Sequence, residues 1–347
     1  MKKLPPIPGD ILRKHDKAYF ASIKAALDCI VHGGQPVFPR RKGGVFVQPF
    51  SLSCKDILDL TTIRDLFVQF KLLTATAEQI RAIVGSGVPT STSLSTLVIN
   101  LLSDLFNYSE FQQGRILVFR NRNFYWESPE DPDDHWGGYE YLQHHTRSLK
   151  YCPYCNADTV YAFRKDNKKR TKVASALDHF YPKAKYPYLA LSLYNLIPAC
   201  SRCNSQMKGD ADMTKVANPY IEDVHRHVVF FPVIEKVASP SDRSCSMAIL
   251  PRQGCSSKAI EFVRRFELES LYSSAFAGDA WLCMEKVRSF TPEFRLDIAR
   301  RINQSDPRLV ETLLFGMPLS EDEINKTRLG KMTLDIVEQY QYTIRGR

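Results

Sequence analysis

Four of the nine cysteines fall in two Cys-x-x-Cys pairs, Cys152-Pro153-Tyr154-Cys155 and Cys200-Ser201-Arg202-Cys203. The turn inside such a pair points both thiolates at one metal, and two pairs complete a tetrahedral four-sulfur zinc site that is closed and structural. Redox chemistry or plain burial would explain one pair on its own; two pairs in basic surroundings favour zinc. Forty-four residues separate the pairs, more than a compact zinc ribbon holds, so the insert must be a folded unit stapled at its ends by the metal. Inside it lies LDHFYPK (177–183), where Asp178 and His179 stand at a place a strand would use to cover its core. Alone, an Asp-His pair reads as a satisfied surface pair; it does chemistry only if other segments bring partners.

Those residues need a frame. The stretch 174–180 reads as a strand, 182–188 as a loop, 189–193 as a second strand, and Tyr194-Asn195-Leu196 as a turn. Cys200 then opens a helix that reaches Gly209. The order is strand, loop, strand, helix.

In that order, DHFYPK (178–183) followed by YNLIPACSRCNSQMKGD (194–210) resembles the HNH endonucleases and their ββα-metal fold. The three motif positions are His179, Asn195 and Asn204, spaced by 16 and 9 residues. The resemblance is specific over about residues 150–212, and PACSRCNSQMKGD (198–210) is especially similar to the HNH proteins of bacterial defence systems such as Septu. Asn218-Pro219-Tyr220 and FELESLY (266–272) resemble that group's flanks more weakly, and residues 1–140 carry no resemblance. Phe180 and Tyr181 depart from the commoner strand-end residues, and position 204 holds Asn where His is the other family choice.

The resemblance implies a metal-dependent hydrolysis of DNA phosphodiester bonds in anti-phage defence, and physical roles can be assigned to match. His179 has a side chain that titrates near neutrality and would take a proton from water. Asp178 and the Asn204 amide oxygen are hard ligands suited to Mg²⁺ or Mn²⁺. Asn195 would tie the loop to the strand and orient His179. Lys183 and Lys208 are candidate phosphate contacts. Defence-type relatives also imply a separate ATPase partner, since the chain has no phosphate-binding loop of its own.

Around this unit the chain is ordinary for a globular protein, with 44% hydrophobic and 24% charged residues. No apolar run is long enough to span a bilayer, and MKKLPPIPGD lacks the apolar core of a signal peptide, so a cytoplasmic protein without membrane contact is expected. An odd number of cysteines argues against a disulfide framework, and Cys29, Cys54, Cys245, Cys255 and Cys283 read as small buried hydrophobes. Residues 140–215 hold thirteen Lys and Arg against six acids, so an excess of seven in a chain of net charge +9 is concentrated there. A nucleic-acid backbone is the natural partner, with Lys168, Lys169 and Arg170 in the basic run 164–172 as contacts; a solvated loop is the plain alternative.

The remaining elements frame three regions within an α+β fold. Residues 1–134 read as mainly helical with a short hairpin near 115–126: an extended arm to residue 12, helices over 14–31, 54–72, 75–84 and 91–107, and a short strand at 45–47. The acidic stretch 127–134 reads as a linker. The zinc-stapled HNH unit takes 135–225, with His144 and His145 on a helix. Residues 226–347 read as mainly helical after a strand at 228–233 and a Ser/Pro/Gly-rich linker over 238–257. Two other functions compete with the DNA nuclease. One is a catalytically idle zinc module that binds nucleic acid or a partner, which would not need Asp178, His179 and Asn204 together; the other is an RNA-directed HNH nuclease.

Overall fold

The computed structural model describes residues 1–34, 51–120, 123–130, 135–164, 172–239, 242–302 and 306–345. Twelve α-helices and four two-stranded antiparallel sheets alternate along the described chain. They run α1 (Gly9–Val31), α2 (Cys54–Phe70), α3 (Ala77–Gly85), α4 (Thr96–Leu105), α5 (Tyr108–Gln112), the hairpin β1 (Ile116–Arg120) and β2 (Asn123–Glu127), then α6 (Gly138–His145). The middle of the chain holds β3 (Ala162–Arg164), β4 (Lys172–Ala174), β5 (Ala176–His179) and β6 (Leu196–Ala199). A long ribbon follows, β7 (Val228–Ser239) with β8 (Asp242–Pro251). Six helices follow it: α7 (Ser257–Arg265), α8 (Leu268–Ala275), α9 (Ala277–Ser289), α10 (Pro292–Arg301), α11 (Pro307–Phe315) and α12 (Gly330–Arg345).

The N-terminal helices form for reasons written locally. Ser53 with Asp56, and Thr76 with Gln79, close reciprocal capping boxes that satisfy the first free N–H groups of α2 and α3. In α4 the stripe Val98, Leu101, Leu102 and Leu105 is buried, as its spacing demands. These helices clamp the middle of the chain. From α1, the buried His15 ring contacts the Leu191 carbonyl through Nε2 at 2.7 Å, while its Nδ1 accepts from the Trp136 indole. The Leu193 N–H reaches the Leu73 carbonyl and the Ile7 N–H reaches the Tyr194 hydroxyl. One continuous apolar core therefore runs across the compositional boundaries near 134 and 225.

Three local expectations give way. The second strand of the central unit is β6 over 196–199, paired with β5 in the register His179↔Leu196 and Asp178↔Ile197, not 189–193. Residues 186–199 are buried on every side, so they show no alternation that could mark a strand; 187–189 and 193–195 instead form single 3₁₀ turns. The helix after the second cysteine pair is π-helical over Arg202–Lys208, its Asn204 carbonyl accepting from the Gly209 N–H. The linker expected over 238–257 is mostly β8, where Cys245, Met247 and Ile249 alternate inward beneath the serines. The expected strand at 45–47 and the tip of the basic run, with Lys168, Lys169 and Arg170, lie outside the described residues.

Candidate functional site

The first cysteine pair is shaped by its own backbone. The Asn156 N–H returns to the Cys152 carbonyl at 2.7 Å and the Cys152 N–H to the Asp158 carbonyl at 2.8 Å, with Asn156 in the left-handed region at φ 55°. In the second pair the Cys203 N–H points at Cys200 Sγ at 3.5 Å. Arg202 bridges the two turns by an ion pair with Asp158 at 2.8 Å. Surrounding elements hold this centre: the Tyr272 hydroxyl donates to the Cys155 carbonyl, and the Asn156 amide bonds to the Ile324 carbonyl and the Lys331 N–H, docking the start of α12.

All four sulfurs are buried and lie within 4.8 Å of one another, with Cys155 and Cys200 3.9 Å apart. Tetrahedral Zn–S bonds of about 2.3 Å require S···S distances of about 3.8 Å, so the donor set fits zinc. The electrostatics agree. Burial pushes the Cys152 thiol up, contact with neighbouring thiols pushes Cys203 up, and contact with Cys152 pulls Cys155 down. Four buried thiols in contact oppose ionising together, a conflict that a bound dication removes by ionising all four. Cys152, Cys155, Cys200 and Cys203 can hold a structural zinc ion.

The Asp-His pair stands beside this centre, its two side chains pointing to opposite faces of β5. Asp178 faces the first cysteine turn: its Oδ2 accepts from the Tyr154 hydroxyl at 2.6 Å and its Oδ1 from Lys208 Nζ at 2.9 Å. Burial raises the Asp178 carboxyl above its ordinary value, and Lys208 and Tyr154 work against that rise. Lys208 is itself buried and spends its other donors on the His179 and Gly209 carbonyls, at 2.7 and 3.2 Å. It is therefore not placed as the phosphate contact expected from its sequence position: all three N–H groups are engaged inside the protein.

His179 faces the other way. Its Nε2 lies 3.0 Å from the Ala190 carbonyl, which can only accept, so Nε2 carries the proton and Nδ1 keeps the lone pair. The ring is 8% exposed and is met edge-on by Tyr108 from α5, with centroids 4.4 Å apart. Burial pulls its pKa down to about 3, so the ring is neutral across the physiological range. Lys183 is exposed and sits over the Tyr108 ring at 5.1 Å, leaving a cation on the His179 side of the unit.

Asn195 is wholly buried at the end of its 3₁₀ turn. Its Oδ1 accepts from the Tyr181 N–H at 2.8 Å, and its Nδ2 donates to the Tyr181 carbonyl at 3.0 Å and the Leu189 carbonyl at 3.2 Å. The loop that supplies the Ala190 carbonyl to His179 is thereby fastened at both ends. Asn204 is half-buried on the π-helix, and its side chain makes no hydrogen bond among the described residues. As arranged, a catalytic Mg²⁺ or Mn²⁺ does not fit between Asp178 and Asn204, because a buried ammonium already neutralises the carboxylate.

The structure brings in three participants that the spacing of motif residues did not signal: Tyr154, Tyr108 and the Ala190 carbonyl. Tyr154 alone had a visible clue, its place inside the first cysteine pair. His145, on α6, has a buried partner, its Nε2 meeting the Tyr220 hydroxyl at 3.1 Å. No described helix is long and apolar enough to cross a membrane. No protein-family model matches the chain. No solved structure matches it. Among curated proteins the chain is similar to Septu protein PtuB of Bacillus thuringiensis, 39% identical over 57 residues, a match that covers 16% of this chain and 22% of that relative.

Proposed function

We propose that the chain is an HNH-type endonuclease that hydrolyses DNA phosphodiester bonds, acting in a bacterial anti-phage defence system alongside a separate ATPase. The observation that carries the reading is the placement of His179: its Nε2–H is pinned by the Ala190 carbonyl and its Nδ1 lone pair is left to take a proton from water. Asn195 supports it by anchoring the loop that carries Ala190, and the four-cysteine centre staples the ends of the unit. The exposed Lys183 over the Tyr108 ring supports a phosphate contact beside His179, and the basic run with Lys168, Lys169 and Arg170 would hold the nucleic-acid backbone. The short similarity to a Septu protein supports the defence setting. The helical regions on either side of the central unit are the surfaces assigned to partner contact.

The chain's own residues supply proton transfer at Nδ1 of His179 and charge stabilisation by Lys183. A second reading, a zinc module that binds nucleic acid or a partner without cutting, is favoured by one observation, the neutralisation of Asp178 by Lys208.

Cleavage of supercoiled plasmid and of RNA by the zinc-loaded full chain separates these readings, with Mg²⁺ or Mn²⁺ titrated and a co-purifying ATPase added. The nuclease reading expects DNA cleavage that His179→Ala abolishes. Cleavage of RNA in its place moves the substrate. Tight binding with no cleavage under any of these conditions establishes the binding module.

A further inference from the structure

Lys208 and Asp178 form a dry ion pair. Their side chains are 1% and 3% exposed and their charged atoms 2.9 Å apart. The pair is closed on both sides. Asp178 Oδ2 is taken by the Tyr154 hydroxyl, and the ammonium's remaining donors are taken by the His179 and Gly209 carbonyls. Lys208 reaches this position from the last residue of the π-helix, which ends at Gly209 in the left-handed half of backbone space, at φ 51°. The resulting cluster carries no net charge, and every donor in it has an acceptor.

A divalent ion arriving at Asp178 Oδ1 would meet a fixed positive charge 2.9 Å from that oxygen, in a medium that screens poorly. We propose that Lys208 occupies the cation position of Asp178 and excludes a divalent ion from that carboxylate for as long as the pair is intact. A metal that uses Asp178 must wait for the ammonium to leave. The inference rests on reading Asp178 and His179 as the catalytic pair, but its test needs no cleavage, so a failed nuclease assay and a failed exclusion give different results.

Mn²⁺ binding to the zinc-loaded full chain is measured from the electron paramagnetic resonance of free Mn²⁺. In the parent, Asp178→Asn should leave the Mn²⁺ affinity unchanged, since Asp178 is not a ligand there. Lys208→Met should bind Mn²⁺ at least ten-fold more tightly than the parent, and the Lys208→Met, Asp178→Asn double variant should lose that gain. Two results overturn the proposal: an affinity that falls ten-fold on Asp178→Asn with Lys208 in place, or equal affinity in the parent and Lys208→Met with one zinc per chain in both. If Lys208→Met fails to fold or to hold zinc, the comparison of parent with a zinc-loaded, folded Asp178→Asn decides alone: the asparagine oxygen can still accept from Lys208, and its amide can donate to the Tyr154 hydroxyl in a reversed bond.

Discussion

Tyr154 and Asp178 are joined by a 2.6 Å hydrogen bond, so a residue inside the first cysteine turn holds the acid of the Asp-His pair directly. The Tyr154 ring is stacked on Phe266 at 4.2 Å, which fixes the hydroxyl from the far side. Metal centre and strand end are therefore one mechanical unit, tied by a bond to a buried carboxylate.

Removing that hydroxyl leaves Asp178 with Lys208 alone. Tyr154→Phe should lower the unfolding free energy by about 1.5–3 kcal/mol, the usual size for a hydrogen bond to a charged group. Zinc content should stay at one per chain. Urea unfolding with metal analysis on the same sample checks both, and a variant as stable as the parent would show that the hydroxyl does not hold Asp178.

Zinc should be present at one per chain, and Cys152→Ser should remove it and unfold the central unit. The four sulfurs are buried and mutually in contact, so without the cation the cluster is a set of competing thiols and not a core. Most of the metal's binding energy is then folding energy. Elemental analysis and a thermal melt before and after chelation test this; a melt indifferent to chelation contradicts it.

His179→Ala should reduce cleavage by about 10²–10⁴, the range for loss of a general base, with zinc content and nucleic-acid affinity preserved. Single-turnover rates beside a binding isotherm separate the two effects. The cut removes a ring that touches Tyr108 and the Ala190 carbonyl, so a modest loss of stability should accompany it.

Asn195→Ala should loosen the loop from Tyr181 to Leu189. Three hydrogen bonds disappear together, and the Tyr181 N–H loses its acceptor within the buried core. Leaving one such donor unmet costs about 1–3 kcal/mol. Hydrogen exchange across 181–190 should accelerate in the variant while the cysteine turns stay protected.

Acid should destabilise the protein through its buried histidines. Burial holds His15 at about 4 and His145 and His179 at about 3, all below the ordinary value of 6.5. Unfolding restores ordinary values, so the unfolded chain binds more protons throughout the window between these limits. Stability is complete above the unfolded pKa and declines as pH falls from about 6.5 toward 3–4. The urea midpoint should be lower at pH 5 than at pH 7, and His145→Gln should show a smaller drop between those two values. Asp178, raised by burial, acts in the opposite sense, which is why the comparison of variant with parent, not the raw slope, carries the test.

Much of the metal centre was legible in the order of residues. Two cysteine turns follow from spacing alone, because a turn of fixed length must present both sulfurs to one side, and the structure gathers all four. The capped helices α2 and α3 were legible for the same reason: Ser53 and Thr76 act on backbone three residues away. The mixed α+β character followed from the change of period along the chain. Tertiary structure decided the rest. Residues 186–199 carry no alternation, since neighbours from α1, α3 and the central sheet bury them on every side, and only the register of β5 against β6 shows where the strand lies. No local rule couples Tyr154 to Asp178 across 24 residues, or turns Lys208 inward across 30. Sequence named the acid, the histidine and the lysine by type; which face of β5 each side chain takes, and hence whether Asp178 meets a metal or an ammonium, depends on the pleat of the strand and on the elements packed beneath it.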